Sequence, residues 1–337
     1  MFEQLEPRVL LDGNVQVWEA NGDLHVRGDA ADNDIEITPG PFPDWYVVDS
    51  PSGTTTINGA AGPVSIDDVT DDVNLNFTQG GDNDVVLDKD TSMYLHVHDR
   101  LTYRGGSGED YVTLTGVLVA GRTKLLTRGG DDFVTAGNNS YFYGKVTVRS
   151  GAGIDNVGFG TVTTLHRGAY IHTGSGADYV ALGNPVFTLG KVKIRTGSGN
   201  DLVNVKQLAY IFRQLDIGTG FGDDTVNLSE DVFFGRKVTV NTGSGADTVD
   251  ISDHALFDKR LVLKTGDGDD VLTVGIIADT GEFRDKVAIN TGGGNDVLSV
   301  RDIEFQDVAT ADGGSGVDDY NDLGGITGTL NVTNFES

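Results

Sequence analysis

The chain contains no cysteine, which removes disulfides, thiolate metal sites and thiol nucleophiles and leaves the compartment open. Basic residues are scarce: 24 Lys and Arg stand against 51 Asp and Glu, a formal net charge of -27 over 337 residues. A charge of that sign repels phosphates and anionic lipid headgroups, so neither nucleic acid nor membrane insertion is expected, and cations are the natural partners. No run of 18 apolar residues occurs, and the opening MFEQLEPRVLLDG lacks the basic and apolar regions of a standard signal peptide. Nor is there a Ser/His/Asp constellation, a phosphate-binding loop or a zinc motif. The 38% of hydrophobic residues is nevertheless enough for a continuous core.

What the chain does have is a repeat. The string T-G-S-G-A-D occurs at 173–178 and again at 242–247, and aspartates in related turns fall at Asp84, Asp110, Asp132, Asp155, Asp178, Asp201, Asp224, Asp247, Asp270, Asp296 and Asp318. Most successive gaps are 23 residues, so each interval is one structural unit.

Apolar residues stand two and four places after the aspartate, as in Val112/Leu114, Val180/Leu182, Val203/Val205, Val226/Leu228, Val249/Ile251 and Leu272/Val274. A second alternating segment precedes the next turn: Val146/Val148, Val192/Ile194, Leu215/Ile217, Val238/Val240, Leu261/Leu263 and Val287/Ile289. Period two marks strands with one buried face, and glycine at every turn argues against helix. Between these segments, large apolar residues such as Phe142, Phe187, Phe212, Phe233 and Phe257 suggest a short third side.

A unit this short cannot bury its own apolar face, so units must stack and share a core. The expectation is an all-β, right-handed parallel β-helix, a solenoid of about 23-residue coils with three sides. The expected divisions are an N-terminal motif at 1–13, a capping region at 14–78, repeats over 79–323 and a C-terminal cap at 324–337. Within the capping region, Val15/Val17, Asn21-Gly22 and Leu24/Val26 read as a hairpin. Residues 39–63, with five of the seven prolines, read as an irregular loop over the open end. Leu330/Val332 read as a closing strand.

In-register coils would place the eleven carboxylates in one column, a few ångströms apart, where they repel. Two readings stay open. The aspartates either close each turn by accepting backbone N–H bonds or, with glycine carbonyls, hold Ca²⁺, which takes six to eight oxygen ligands in a flexible cage. The glycines concerned stand four and two places before the aspartate: Gly106/Gly108, Gly151/Gly153, Gly174/Gly176, Gly197/Gly199, Gly220/Gly222, Gly243/Gly245, Gly266/Gly268, Gly292/Gly294 and Gly314/Gly316. Arg128 takes such a glycine place before Asp132, Asp82 takes one before Asp84, and Ala30 and Asp32 take both before Asp34.

Gly-x-Gly-x-Asp followed by an apolar residue two places on is similar to the calcium-binding nonapeptide repeat of the RTX (repeats-in-toxin) proteins. That resemblance implies several Ca²⁺ ions between turns of adjacent coils, with the aspartates giving carboxylates and the glycines carbonyls. The chain departs from the family in having one motif per coil and usually Thr or Ser at the first glycine place (Ser150, Thr173, Thr196, Thr219, Thr242, Thr265, Thr291). One edge alone would then hold ions. Separately, Phe2–Leu11 resembles the N-terminal LEPR-XLL motif of bacterial exported repeat proteins, which implies a secreted or cell-surface protein.

For catalysis or ligand binding the candidates are fewer. Lys124, Arg149, His172, Lys193 and Arg195 form an outward basic strip suited to sulfated or uronic polysaccharide, where a Lys or Arg has the chemistry of a lyase base. Tyr111, Phe133, Tyr179 and Leu202 form an outward row interrupted by Asn156, placed to shield strand edges or stack on sugar rings. His96 and His98 share a strand face, without an evident third metal ligand. Lys145, Lys191, Lys237, Arg260 and Lys286 recur ten residues before the motif aspartate, a row compatible with lateral association of rods or contact with other surface proteins. The repeat stays regular from Asp132 to Asp270, with insertions before Asp110 and around Thr280-Gly281-Glu282. Regularity favours a structural, adhesive or matrix role over an enzyme, with a polysaccharide-binding or polysaccharide-cleaving protein as the alternative.

Overall fold

Three long sheets, of 15, 14 and 10 strands, run side by side along the molecule. They belong to a computed structural model that describes residues 13–89, 93–275 and 282–336. The segment resembling LEPR-XLL, Thr280 and Gly281 lie outside the described residues. No described element is helical. Each coil contributes one strand to each sheet, so the fold is a three-sided parallel β-solenoid of about 23-residue coils.

Register follows the repeat. Val146, Ala169, Val192, Leu215, Val238 and Leu261 stack in the first sheet, and Val157, Val180, Val203, Val226 and Val249 in the second. All are fully buried, so like side chains meet like ones in successive rungs and build a single core. The third sheet is shorter, and its inward column ends in a run of rings: Phe234, Phe257, Phe283 and Phe305, with centroids 4.7, 4.8 and 5.6 Å apart. Of the five phenylalanines read as a third side, only Phe142 and Phe257 point inward. Phe187 and Phe233 lie on the outward register, and Phe212 is exposed just past its strand, because strand alternation, not residue size, decides the face.

The ends are closed by extra strands. Gly13–Ala20 and Asp23–Arg27 form the expected antiparallel hairpin, turning at Asn21 and Gly22 with φ of 59° and 88°. Residues 39–63, expected to be irregular, carry strands instead. Tyr46–Asp49 pairs antiparallel with Asn33–Pro39 and then with Val64–Ile66, while Thr55–Ile57 adds to the first sheet beside Gly13–Ala20. The prolines fall at strand ends and turns, where no ladder N–H is needed. At the other end Leu330–Thr333 extends the first sheet, as expected.

Candidate functional site

The motif aspartates do form a column, and the structure turns it inward. Asp110, Asp132, Asp155, Asp178, Asp201, Asp224, Asp247, Asp270, Asp296 and Asp318 are each at most 2% exposed. One oxygen of each is engaged in a way that links coils. The backbone N–H of Asp155 donates to Asp178 Oδ1 at 2.9 Å, that of Asp178 to Asp201 at 2.9 Å, and so on through Asp296 to Asp318. The carboxylate therefore binds the backbone of the preceding coil, not of its own turn.

Asp84 does not belong to this column. Asn83 pairs with Asp110 in the ladder, while Asp84 pairs with Tyr111 and is exposed. Strand parity is the reason: Val85 and Leu87 are the buried residues, two and four places after Asn83. Asn83 Nδ2 donates to Asp110 Oδ1 at 2.7 Å, and Asn33 Nδ2 donates to Asn83 Oδ1 at 3.0 Å. The two lowest rungs are thus uncharged amides. The same one-residue shift puts Gly81, with φ of 82°, in the glycine place assigned to Asp82, and Ala31 in that assigned to Asp32.

The glycines two and four places before the column have φ between 89° and 144° from Gly151/Gly153 through Gly314/Gly316. A Cβ on Gly243 would overlap the carbonyl of Gly220, so stacking as well as φ demands glycine here. The carbonyls of Gly151, Gly174, Gly197, Gly220, Gly243 and Gly266 thus face the glycine of the next coil, along the stack. The second row behaves alike: the carbonyls of Gly153, Gly176, Gly199, Gly222, Gly245, Gly268 and Gly294 each lie where the next glycine of that row, ending at Gly316, would carry a Cβ.

Gly153, Gly176, Gly199, Gly222, Gly245, Gly268, Gly294 and Gly316, like the row before them, act in the structure as spacers that let coils close up, with their carbonyls running from rung to rung. Gly106 and Gly108 lack the positive φ of their counterparts. Arg128 adopts φ of 83° in a glycine place, and its side chain is exposed.

An outer ladder, not foreseen from the sequence, explains that carbonyl direction. The N–H of Ile154 donates to Asp131 Oδ1 at 2.7 Å, Ala246 to Asp223 at 2.8 Å, and Asn295 to Asp269 at 2.7 Å; Asn200 and Asn295 serve their neighbours in the same role. Each such N–H points back to the preceding coil. In a trans peptide the carbonyl of the glycine just before it points the opposite way, to the coil ahead. Free use of Asn here, in an exposed position, fits plain N–H capping. The inner column ends on Glu336, whose Oε2 accepts the N–H of Asp318 at 2.7 Å.

A second buried column stands beside the aspartates. Thr127, Ser150, Thr173, Thr196, Thr219, Thr242, Thr265 and Thr291, five places before them, are fully buried. Thr196 Oγ1 donates to the carbonyl of Thr219 at 3.2 Å, Thr242 to Thr265 at 3.1 Å, and Thr291 to Gly313 at 2.7 Å. Each hydroxyl also faces the aspartate of its own coil and draws that carboxyl's pKa back down. Where the place is Gly105, a Cβ would overlap Asp110 Oδ2, and the buried Tyr103 hydroxyl faces that aspartate instead.

One oxygen per rung is left over. Oδ2 of nine column members, from Asp110 to Asp296, is buried and has no hydrogen-bond donor. Burial accordingly pushes these carboxyls up, to about 6 for Asp110, Asp155, Asp247 and Asp270 and to about 7 for Asp132 and Asp201. Asp178, Asp224 and Asp296 are raised for the same reason. A buried row of unsatisfied oxygens needs either protons or cations.

The remaining candidates are placed as follows. The basic strip separates into two registers, with Lys124 and Lys193 in one and Arg149, His172 and Arg195 in the other. Arg195 pairs with Asp216 at 2.8 Å. Tyr111, Phe133, Asn156, Tyr179 and Leu202 are in register, as expected. His96 and His98 lie with ring centroids 4.2 Å apart, and His98 is 2.7 Å from Asp44. Among the described residues the one group of three metal-ligating side chains within mutual reach is Asp23, Asp71 and Asp72. No family model, no curated protein and no solved structure matches this chain.

Proposed function

We propose that the protein is a secreted or cell-surface β-solenoid, stiffened by Ca²⁺ and serving a structural or adhesive role. The observation that carries this reading is the row of nine buried Oδ2 atoms without a donor. The donor set at the column is all oxygen: carboxylate Oδ2, the Thr or Ser hydroxyl five places earlier, and main-chain carbonyls, which is the chemistry Ca²⁺ favours. Carboxylates would supply charge, and the hydroxyls, with main-chain carbonyls such as those of the glycine rows that point from one coil to the next, would complete the shell. Oδ1 would keep its bond to the preceding coil.

Binding of this kind couples to folding, because the unfolded chain has no such column. At low cytosolic calcium the rod would be loose, and outside the cell it would be rigid. Export itself rests on the segment Phe2–Leu11, and a structural role on the unbroken repeat from Asp132 to Asp270. Equilibrium dialysis with radioactive calcium tests the proposal: several ions per chain are expected at millimolar calcium, fewer in the Asp201→Asn/Asp224→Asn variant. No uptake by the wild type, or identical uptake by the variant, would refute it.

A further inference from the structure

The corner between the third and first sheets carries a cationic column that mirrors the acidic one. In eight successive coils the two residues just before the first-sheet strand include at least one Lys or Arg: Arg122, Lys145, Arg167, Lys191, Arg213, Arg236-Lys237, Lys259-Arg260 and Lys286. All are exposed. Only Lys191 has an ion pair among the described residues, at 3.5 Å from Asp216. In a chain with 51 acidic side chains, so long an unneutralised basic row is not what a randomly solvated surface would give. It spans seven rungs, about 34 Å at the usual strand spacing.

Two further features sit against this row. On one flank, Tyr143, His166, Leu189 and Phe212 occupy the residue before the corner in four consecutive coils, with Tyr143 and His166 stacked at 4.4 Å. Tyr143, Leu189 and Phe212 are 44, 43 and 41% exposed. On the other flank, Lys145, Arg149 and Lys193 all converge on the Tyr170 ring, at 5.7, 5.7 and 5.8 Å from its centre. Between them runs a groove of about 1360 Å³ lined by Arg122, Lys124, Tyr143, Lys145, His166 and Arg167, and also by Asp99, which is paired with Arg100. It is continued along the same corner by a second groove, lined by Lys191, Arg213, Arg236 and Lys237.

We infer that this corner binds an anionic polysaccharide lying along the solenoid axis. Such a chain offers one ring face and, at intervals, one carboxylate or sulfate. The ring's C–H face suits the aromatic row, and the charged groups suit Lys and Arg, whose guanidinium takes oxyanions in bidentate fashion. Successive rungs are separated by close to the length of one pyranose unit, so a linear polymer meets a fresh cation at each step. The net negative charge of the body keeps polyanions from spreading over other faces.

The test measures binding of fluorescein-labelled heparin (sulfated), hyaluronan (uronate only) and dextran (neutral) by anisotropy, in calcium-containing buffer at low and moderate salt. The wild type is expected to bind heparin, hyaluronan or both, not dextran, with affinity falling as salt rises. Lys145→Gln/Arg167→Gln/Lys191→Gln/Arg213→Gln should bind at least about tenfold more weakly, since several charge-assisted contacts are removed. Arg128→Gln/Arg301→Gln, away from the corner, should bind as the wild type does. Circular dichroism of both variants checks that they keep the fold. The inference is overturned if neither anionic polymer binds, or if the quadruple variant binds unchanged. It is equally overturned if oligothymidylate or phosphatidylserine vesicles bind more tightly than either, or if sedimentation shows wild-type chains already associated through a corner whose quadruple variant is monomeric.

Discussion

The backbone N–H of Asp201 donates to Asp224 Oδ1 at 2.8 Å, so a side chain from one coil caps the main chain of the coil before it. Repeated through the column, this bond makes each aspartate a fastener between neighbours. Its second oxygen is buried and without a donor, and burial raises the carboxyl's pKa; in the proposed function it is also the oxygen a cation would take.

Replacing Asp224 separates these two jobs. Asp224→Ala leaves the Asp201 N–H buried and unpaired, and should cost about 1–3 kcal/mol in urea unfolding. Asp224→Asn keeps an Oδ1 acceptor for the Asp201 N–H and removes the charge, and Asn83 and Asn33 show that the column takes an uncharged amide at its lower rungs. Without calcium it should therefore be at least as stable as the wild type. A loss as large as that of Asp224→Ala would contradict the role given to Oδ1.

The column also fixes the sign of the pH dependence. Six of its carboxyls, Asp110, Asp132, Asp155, Asp201, Asp247 and Asp270, lie at about 6 to 7 in the folded chain, above about 3.9 for an unfolded aspartate. Between those values the folded state binds more protons, so the calcium-free protein should lose stability as pH rises from about 4 to 7 and level off above. Urea midpoints taken across that range in EDTA check this; a midpoint that climbs with pH would be the opposite result.

The threonine column should matter through its hydroxyl. Thr219→Val keeps the shape but removes the donor to the Thr242 carbonyl, 3.0 Å away, and the group that lowers the Asp224 pKa. A loss of about 1–2 kcal/mol is expected. In EDTA the variant should also show a steeper fall in stability between pH 5 and 7 than the wild type does (roughly the window set by these pKa shifts).

Glycine at the corner is required by stacking. Gly243→Ala, at φ of 117° and against the Gly220 carbonyl, should lower stability by about 2 kcal/mol or more. Gly53→Ala, at φ of 69° with open space around it, should cost about 1 kcal/mol. Comparable losses at the two sites would show that backbone angle alone, and not coil contact, selects glycine.

Much of this was legible in the residues. Regular spacing gave the coil, and period-two apolar pairs gave two of the three sheets, because buried strand faces are written in alternation. The inward turn of the column was also legible: Asp178, Val180 and Leu182 share parity, as do Ile194 and Thr196. The same parity singles out Asn83 over Asp84, where counting from one aspartate to the next does not. The glycine pairs were plain to see, but spacing alone does not tell that the carbonyl of Gly222 runs along the stack to Gly245. Glu336 as the last rung and the strands within residues 39–63 carry no repeat signal, since caps meet the solenoid on one side only and need not resemble it. The basic corner was visible as a ten-residue offset, but Arg167, Arg213 and Arg236 fall one place earlier, and only the folded corner brings the two positions into one row.

The measurement closest to the centre of the account is a thermal melt followed by circular dichroism at pH 7.5, with millimolar calcium in one cell and EDTA in the other. The calcium sample is predicted to melt well above the EDTA sample, with the gap narrowing at pH 5 as protons take over the buried oxygens. Coincident melting curves at pH 7.5 would contradict it.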